Sequence, residues 1–410
     1  MNTEMSKRVA KKLEKHTNLC IHVMNEIQKL EDYEQMRKQI LAWSVELLYD
    51  DFIKVAFKDR RSIARRITRD WNDFGYWIYH NTFAPHINDM FRYFYFIAEC
   101  EASDEVDVSI VVNLYNSKDY FAEFKESICA QTLDNVEIIF INNAADNDTY
   151  LHMHKWLMSD HRVRIMNQAY SPVSYTFNEG LSMAVGKAVV FADTHDVLTS
   201  PDVLRAHFEA LTAENADVAS ARTLDAGNVE SAISDAKLYE FMFNREFLTD
   251  GEIEFGNYYL LTTRIFAATA LTAAKTFAVA ASGEKLFRYR ALWHRDWFYL
   301  EEANNTLKGY CELLRLTSEK GLAREHLRVI DELNSDKVIQ NILNATNPYL
   351  MNPDDCPNGE NSQKETFILL CELNRLIDTS LVKSHALGAR KILGEFVTRR
   401  HAFLSGVMKF

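Results

Sequence analysis

The stretch Val108–Asn143, VSIVVNLYNSKDYFAEFKESICAQTLDNVEIIFINN, decides how this chain is read. It opens on one short apolar-rich run, VSIVV, and nearly closes on another, VEIIFI. Runs of this length, rich in β-branched residues and bounded by polar turns, are strands. Tyr120 to Ala130 between them carries a helical pattern, so the unit is strand, helix, strand. Working downstream, VRIM (163–166) and AVVF (188–191) are two further strand-like runs, with helical segments at Thr149 to Met158 and Tyr175 to Val185. Strands alternating with helices of this size predict a parallel sheet covered on both faces. Ligands of such sheets sit at the carboxyl ends of the strands. Those ends read NLYN, NNAAD, NQAYS and ADTHD, and all four are polar.

Outside this segment the period changes. From Lys7 to Leu48 there is neither Gly nor Pro, and Val9, Leu13, Cys20, Val23, Ile27 and Leu30 fall on one helical face. A basic run, RRSIARRITR, follows at 60–69, then a very aromatic stretch at 77–96 that reads as core or a domain seam. The acidic segment 99–107, ECEASDEVD, reads as a linker. From Glu301 the chain is helical again, apart from a loop at 347–361. The expected organisation is a helical region over 1–100, an α/β domain over 107–297 and a helical region over 298–410.

The chain has 410 residues and a net charge of −12, which argues against a general nucleic-acid binder. No apolar run approaches the roughly 18–20 residues that span a bilayer. The N-terminal MNTEMSKRVAKKLEKH lacks the apolar block of a signal peptide. Six cysteines without metal spacing suit reduced thiols, so a cytosolic protein is expected. Residues 389–410 are basic and amphipathic; they suit either the inner face of an anionic membrane or a helix packed on the core with a solvated basic face.

The fourth strand-like run ends in VVFADTHDV, residues 189–197, with Asp193, His195 and Asp196 at its exit. Three metal-capable side chains there admit two readings. They hold a ligand or metal, or they form a polar strand end in which Asp196 or Thr199 caps a helix starting near Pro201.

The ordered series of segments resembles the catalytic domain of family 2 glycosyltransferases, with the GT-A nucleotide-sugar fold, over residues 107–290. Val108–Asn143 resembles the family's opening strand, helix and second strand, and RVRIMNQ its third strand. SYTFNEGLSMAVGKAVVFADTHDVL resembles the helix leading into the metal-binding strand end. LYEFMFNREFLTDGEIEF and EKLFRYR resemble a later helix and the closing strand. The resemblance implies an α/β, Rossmann-like mixed sheet flanked by the two helical regions. It also implies transfer of a sugar from a nucleotide-sugar donor, a UDP-sugar by expectation, to a glycan, lipid-linked or protein acceptor, as in polysaccharide biosynthesis. A divalent ion, Mn2+ or Mg2+, would bridge the diphosphate and stabilise its growing charge. Matched residue by residue, Asp193 and His195 stand for the family's metal-binding Asp-x-Asp. Asn113, Tyr115, Asn142, Asn143, Asn178 and Asp193 would meet the donor.

The pattern also departs from the family. Asn142 and Asn143 replace two aspartates at the second strand end, and Phe177 stands where the family carries an Arg near the diphosphate. The family's Glu-Asp pair, which contains the general base, falls on Thr262 and Thr263 when counted forward from Phe255 and back from Ala270–Leu271. Threonine cannot take a proton at neutral pH. Asp250, Glu252, Glu254 and Asp296 are the substitutes in view, none with a motif behind it. The second expectation is therefore a degenerate domain that binds a partner or glycan, or scaffolds a complex. His152, His154 and His161 read as solvated rather than metal-binding. His294, in WHRDW at 293–297, reads as aromatic packing with a ligand role as the alternative.

Overall fold

A computed structural model describes residues 2–70, 83–169, 171–224, 238–258, 261–288, 300–334 and 360–379. The first part is helical, with α1 (Asn2–Ile27), α2 (Tyr33–Phe52), α3 (Phe57–Asp70) and α4 (Pro85–Glu99). The central part alternates: β1 (Val108–Leu114), α5 (Phe121–Cys129), β2 (Val136–Asn143), α6 (Asn147–Leu157), β3 (Val163–Gln168), α7 (Val173–Met183) and β4 (Ala188–Asp193). Then come β5 (Val197–Leu198), α8 (Val203–Ala213), β6 (Val218–Ser220), β7 (Phe241–Asn244), α9 (Arg245–Asp250), α10 (Thr262–Ala273), β8 (Phe277–Val279) and β9 (Phe287–Arg288). Three helices follow, α11 (Leu300–Glu319), α12 (Ala323–Asn334) and α13 (Glu360–Thr379).

Seven strands form one sheet in the order β3-β2-β1-β4-β7-β6-β8. β3, β2, β1 and β4 are parallel, β7 is antiparallel to both neighbours, and β6 pairs β8 in parallel. This is the mixed α/β sheet expected, and its alternating side chains feed two cores. Val108, Ile110, Val112, Ile138 and Phe140 join one cluster with the N-terminal helices, α5 and α6. Val111, Ile139, Ile141, Val189 and Phe191 join a second with α7 and α10. The period of two along each strand makes this division unavoidable.

Each of the first four strands runs two residues past its apolar run. The extra residues, Asn113–Leu114, Asn142–Asn143, Asn167–Gln168 and Ala192–Asp193, belong to the ladder. Their register sets polar residues side by side: Asn113 opposite Asp193, and Asn142 opposite Asn167.

The N-terminal helices are built into this core. The buried stripe of α1 is Leu13, Thr17, Cys20 and Met24, while Leu30, expected on that face, is 52 % exposed. The helix ends at Ile27, so Leu30 lies in the following turn and loses the helical register. The basic run is turned inward. Arg60, fully buried, donates to the Tyr93 hydroxyl at 2.6 Å and to the carbonyls of Val163 and His161 at 2.9 and 2.7 Å. Arg61 donates to the Ala102 carbonyl at 2.9 Å and pairs with Asp104, which pins the acidic connection against α3. Of the aromatic stretch, Phe83, Phe91, Tyr93 and Phe94 are buried core; 77–82 lie outside the described residues.

At the edge strand β3 the backbone N–H of Ile165 donates to the Ile53 carbonyl at 3.2 Å. Beside it Arg164, 1 % exposed, donates through Nε to Lys54 O at 2.9 Å and through Nη1 to Glu137 at 2.6 Å and Met183 O at 2.8 Å. Glu137 also accepts from the Ser109 hydroxyl at 2.6 Å and from the Val185 N–H at 2.8 Å. At the other end, α11, α12 and α13 form a third cluster against Leu261 and Ile265 at the start of α10. Arg264 of α10 reaches Glu332 at 2.8 Å and pairs with Glu325, both on α12. Among the described residues no helix is long and apolar enough to cross a membrane. Residues 389–410 and the 293–297 segment with His294 and Asp296 lie outside the described residues.

Two histidines expected to be solvated form part of a seam instead. His154 approaches the Tyr49 hydroxyl at 3.2 Å and His161 packs on Phe57, because the N-terminal helices cover α6 and the loop after it; His152 is exposed. Burial lowers the pKa of His154, His161 and His326, and takes His207, fully buried, down to about 4. Their folded pKa values lie below the unfolded value of about 6.5, so the unfolded chain binds more protons as pH falls. Their contribution is complete above about pH 6.5 and is lost below it. His207 alone accounts for about 3 kcal/mol between pH 6.5 and 4 at roughly 1.4 kcal/mol per pKa unit. The urea midpoint should drop markedly from pH 7.5 to 5; an unchanged midpoint would show that these side chains are already accessible to protons in the fold.

Candidate functional site

The carboxyl ends of β1, β2, β3 and β4 carry the residues singled out from the sequence, and parallel pairing brings several of them together. Asp193, the last residue of β4, is 9 % exposed; Asn113 is 4 % and His195 5 % exposed. The Asn113 amide donates through Nδ2 to Asp193 Oδ2 at 2.9 Å. The other oxygen, Oδ1, accepts the backbone N–H of His195 at 3.1 Å and faces His195 Nδ1 in close contact. Asp196 folds back as well: its Oδ2 accepts the Asp193 N–H at 3.3 Å, and its own N–H reaches the Asp193 carbonyl at 2.9 Å.

The strand exit is therefore a tight turn in which Asp193 accepts from His195 and Asp196 accepts from Asp193, while the Thr194 hydroxyl is buried without a partner among the described residues. The helix-capping alternative does not hold. Asp196 is committed to this turn, Thr199 donates to the Lys285 carbonyl at 2.5 Å, and α8 starts only at Val203.

Tyr120, the residue before α5, lays its ring on the His195 imidazole with centroids 5.2 Å apart. It is 39 % exposed, so one side of the His195 ring meets a half-open aromatic wall. Tyr120 and the Asn113–Asp193 pair were not read as a unit from sequence. The signal lay in the register, which sets Asn113 beside Asp193 although 80 residues separate them.

The other donor candidates divide into two groups. Tyr115, just past β1, is 38 % exposed. Asn142 bridges to Asn167 Oδ1 at 3.0 Å and accepts the Ala145 N–H at 3.1 Å, closing a turn in which Ala144 takes a positive φ of 53°. Both lie at the open strand ends. Asn143 and Asn178 are differently placed. Asn143 exchanges two hydrogen bonds with Ser171, at 2.9 and 2.8 Å, and Asn178 exchanges two with the backbone of Phe255, both at 2.9 Å. A nucleotide would reach those amides only by displacing these bonds. Phe177 is 1 % exposed and packs on Phe191 and Phe255 in the second core.

The register at the missing acid pair is structurally coherent. Thr262 and Thr263 are the first two residues of α10, and Ala270–Leu271 fall near its end. The Thr262 hydroxyl is buried and accepts the Tyr258 N–H at 3.0 Å; Thr263 is partly exposed. Asp250 ends a helix that starts opposite Ala188, at the amino end of β4, while Asp193 lies at the carboxyl end. Asp250, Glu252 and Glu254 are exposed. Beyond Asp196, β5 pairs with β9, and a cavity of about 630 Å³ lies between this ribbon and α5. Its walls carry Glu126 and Glu123, the latter bonded to Arg288 at 2.7 Å.

Asp193 already has protein donors on both oxygens, and among the described residues no three His, Cys, Asp or Glu side chains gather to hold an ion. The ring nitrogen His195 Nε2 is the available ligand of the triplet, which suits an ion that brings its other ligands with a diphosphate.

Residues 109–292 match the family model "Glycosyl transferase family 2". The chain is similar to glycosyltransferase GlyG of Streptococcus pneumoniae, 28 % identical over 112 residues, or 27 % of this chain and 37 % of that protein. It is also similar to the uncharacterized glycosyltransferase EpsJ of Bacillus subtilis, 32 % identical over 107 residues, or 26 % and 30 % of the two chains. The match thus spans about a third of these relatives. Among solved structures, Staphylococcus aureus TarS 1–349 in complex with UDP-GlcNAc aligns over 73 % of this chain and 92 % of that one, at 14 % identity and a TM-score of 0.48. The family resemblance read from the sequence is borne out by the family model and these relatives.

Proposed function

We propose that the 107–297 domain transfers a sugar from a nucleotide-sugar donor, a uridine diphosphate sugar in the first instance, to a glycan, lipid-linked or protein acceptor. The match of residues 109–292 to the family 2 glycosyltransferases carries this reading. The buried polar row at the sheet's carboxyl edge supports a donor site there. In this reading Tyr115 and Asn142 meet the nucleotide, Asn113 and Asp193 shape the diphosphate end, and His195 faces the diphosphate. Mn2+ or Mg2+, when bound, neutralises charge on the leaving diphosphate; His195, oriented by Asp193, is the side chain placed to hold it.

The Thr262–Thr263 pair favours a second reading, a domain that binds donor and turns it over slowly or not at all. Calorimetry against UDP, GDP and CDP with Mn2+ tests both. Uridine nucleotide binding supports the donor site, and single-turnover assays then separate enzyme from binder. No heat with any nucleotide would refute the donor site. Asp193→Ala should weaken manganese-dependent UDP binding at least about tenfold, the usual scale for groups that orient a metal ligand, with cooperative unfolding retained. Unchanged affinity in that variant would detach the triplet from the donor.

A further inference from the structure

The contacts of Asp193 settle a chemical question inside the triplet. A carboxylate only accepts hydrogen bonds. The nitrogen end of Asn113 must therefore face Asp193 Oδ2, and the Nδ1 of His195 must carry the proton that points at Oδ1. Asn113 Oδ1 is left buried without a partner among the described residues, so the amide is held in place by Asp193 rather than by a competing bond. The imidazole has its Nδ1 edge fixed by Asp193, its own N–H on the same oxygen, and the Tyr120 ring on its face. What remains is Nε2, with a lone pair. A carboxylate behind a histidine fixes the tautomer and the orientation of the ring.

We infer that Asn113 and Asp193 are positioning residues that lock His195 as its Nδ1–H tautomer, and that Nε2 is the one atom of the Asp193–His195 pair that meets the cation of a nucleoside diphosphate. This rests on the proposed donor site, and it moves Asp193 from direct ligand to support. Two consequences follow. The ion binds weakly to the free protein, because one imidazole is its only protein ligand from the pair, and firmly only together with the diphosphate. Asn113, which touches neither ion nor diphosphate, affects both through Asp193.

The test uses the full chain with 15N-labelled histidine. Long-range 1H–15N spectra of the free protein at pH 8, with the His195 signal identified by its loss in His195→Gln, should show Nδ1–H and an unprotonated Nε2. Asp193→Ala, which removes the acceptor facing Nδ1, should release the ring toward Nε2–H. Asn113→Leu should reduce affinity for UDP with Mn2+ by about 10–100-fold while UDP without metal changes little. Paramagnetic resonance of Mn2+ should report binding with UDP and little without it. An Nε2–H tautomer in the parent protein overturns the clamp, and so does an unchanged Mn2+–UDP affinity in Asn113→Leu when that variant unfolds normally. If Asn113→Leu fails to fold, Asp193→Ala decides by the tautomer alone. Absence of nucleotide binding in the parent removes the donor reading and with it the assigned role of Nε2, whereas the tautomer of the free protein still tests the clamp.

Discussion

Replacing Arg164 with Met should lower the unfolding free energy by about 3–5 kcal/mol, the usual cost of stranding one member of a buried ion pair. Arg164 and Glu137 are among the most enclosed charges described, with side chains 1 % and 5 % exposed. The guanidinium also satisfies the carbonyls of Lys54 and Met183, so its loss leaves three acceptors short of a donor. Methionine fills the volume, which confines the effect to charge and hydrogen bonding. The double variant with Glu137→Gln should recover part of the loss, because it removes the stranded charge and keeps a carbonyl for Ser109 and Val185. Urea unfolding of the three variants measures this. A loss under about 1 kcal/mol in Arg164→Met, the range of exposed pairs, would mean that water reaches Glu137.

Thr263→Asp should raise transfer or donor hydrolysis by on the order of 10²-fold, the lower range of general-base catalysis. The structure separates the two threonines. The hydroxyl of Thr262 is buried and accepts the Tyr258 N–H, while Thr263 is partly exposed at the second position of α10. An acid is tolerated there, since helix N-termini favour negative charge. Arg264 beside it is anchored to Glu325 and Glu332, so the new carboxylate does not acquire that guanidinium as a free partner. Thr262→Asp is the control. It buries a carboxylate at a position that is 2 % exposed and should cost stability without a gain in rate. No gain from Thr263→Asp, together with measurable parent activity, would place the base elsewhere, and Glu126 on the wall of the cavity beside β5 is then the carboxylate to replace.

Much of this was legible in the sequence because it rests on local pattern. VSIVV, VEIIFI, VRIM and AVVF are strands, and the helices between them lie within two residues of where their pattern put them. The sum of those units is the parallel part of the sheet, β3-β2-β1-β4. The two-residue extension of each strand was not legible. Asn113, Asn142 and Asp193 have low strand preference alone and join the ladder because their neighbours across the sheet satisfy them. The same non-local cause hid the Asn113–Asp193 contact. The inward turn of the basic run was hidden too, since nothing in RRSIARRITR says that Arg60 meets carbonyls a hundred residues away. Leu30 was misplaced for a local reason, a helix ending three residues earlier than the hydrophobic period.

The contact of Ile53 and Lys54 with β3 has a bearing on how the molecule behaves among its own copies. A parallel sheet that stops at a bare strand offers its outer N–H and C=O groups to any extended chain, and that is a route to self-association. Here the Ile165 N–H is already spent on Ile53, and the Arg164 side chain occupies the next carbonyl along, on Lys54. The N-terminal helices thus act as a built-in stopper on the sheet's most regular side. The opposite margin, β8, is only three residues long and offers little to copy. The helical region ahead of the sheet therefore covers part of its edge as well as its face, whatever the chemistry at the strand ends.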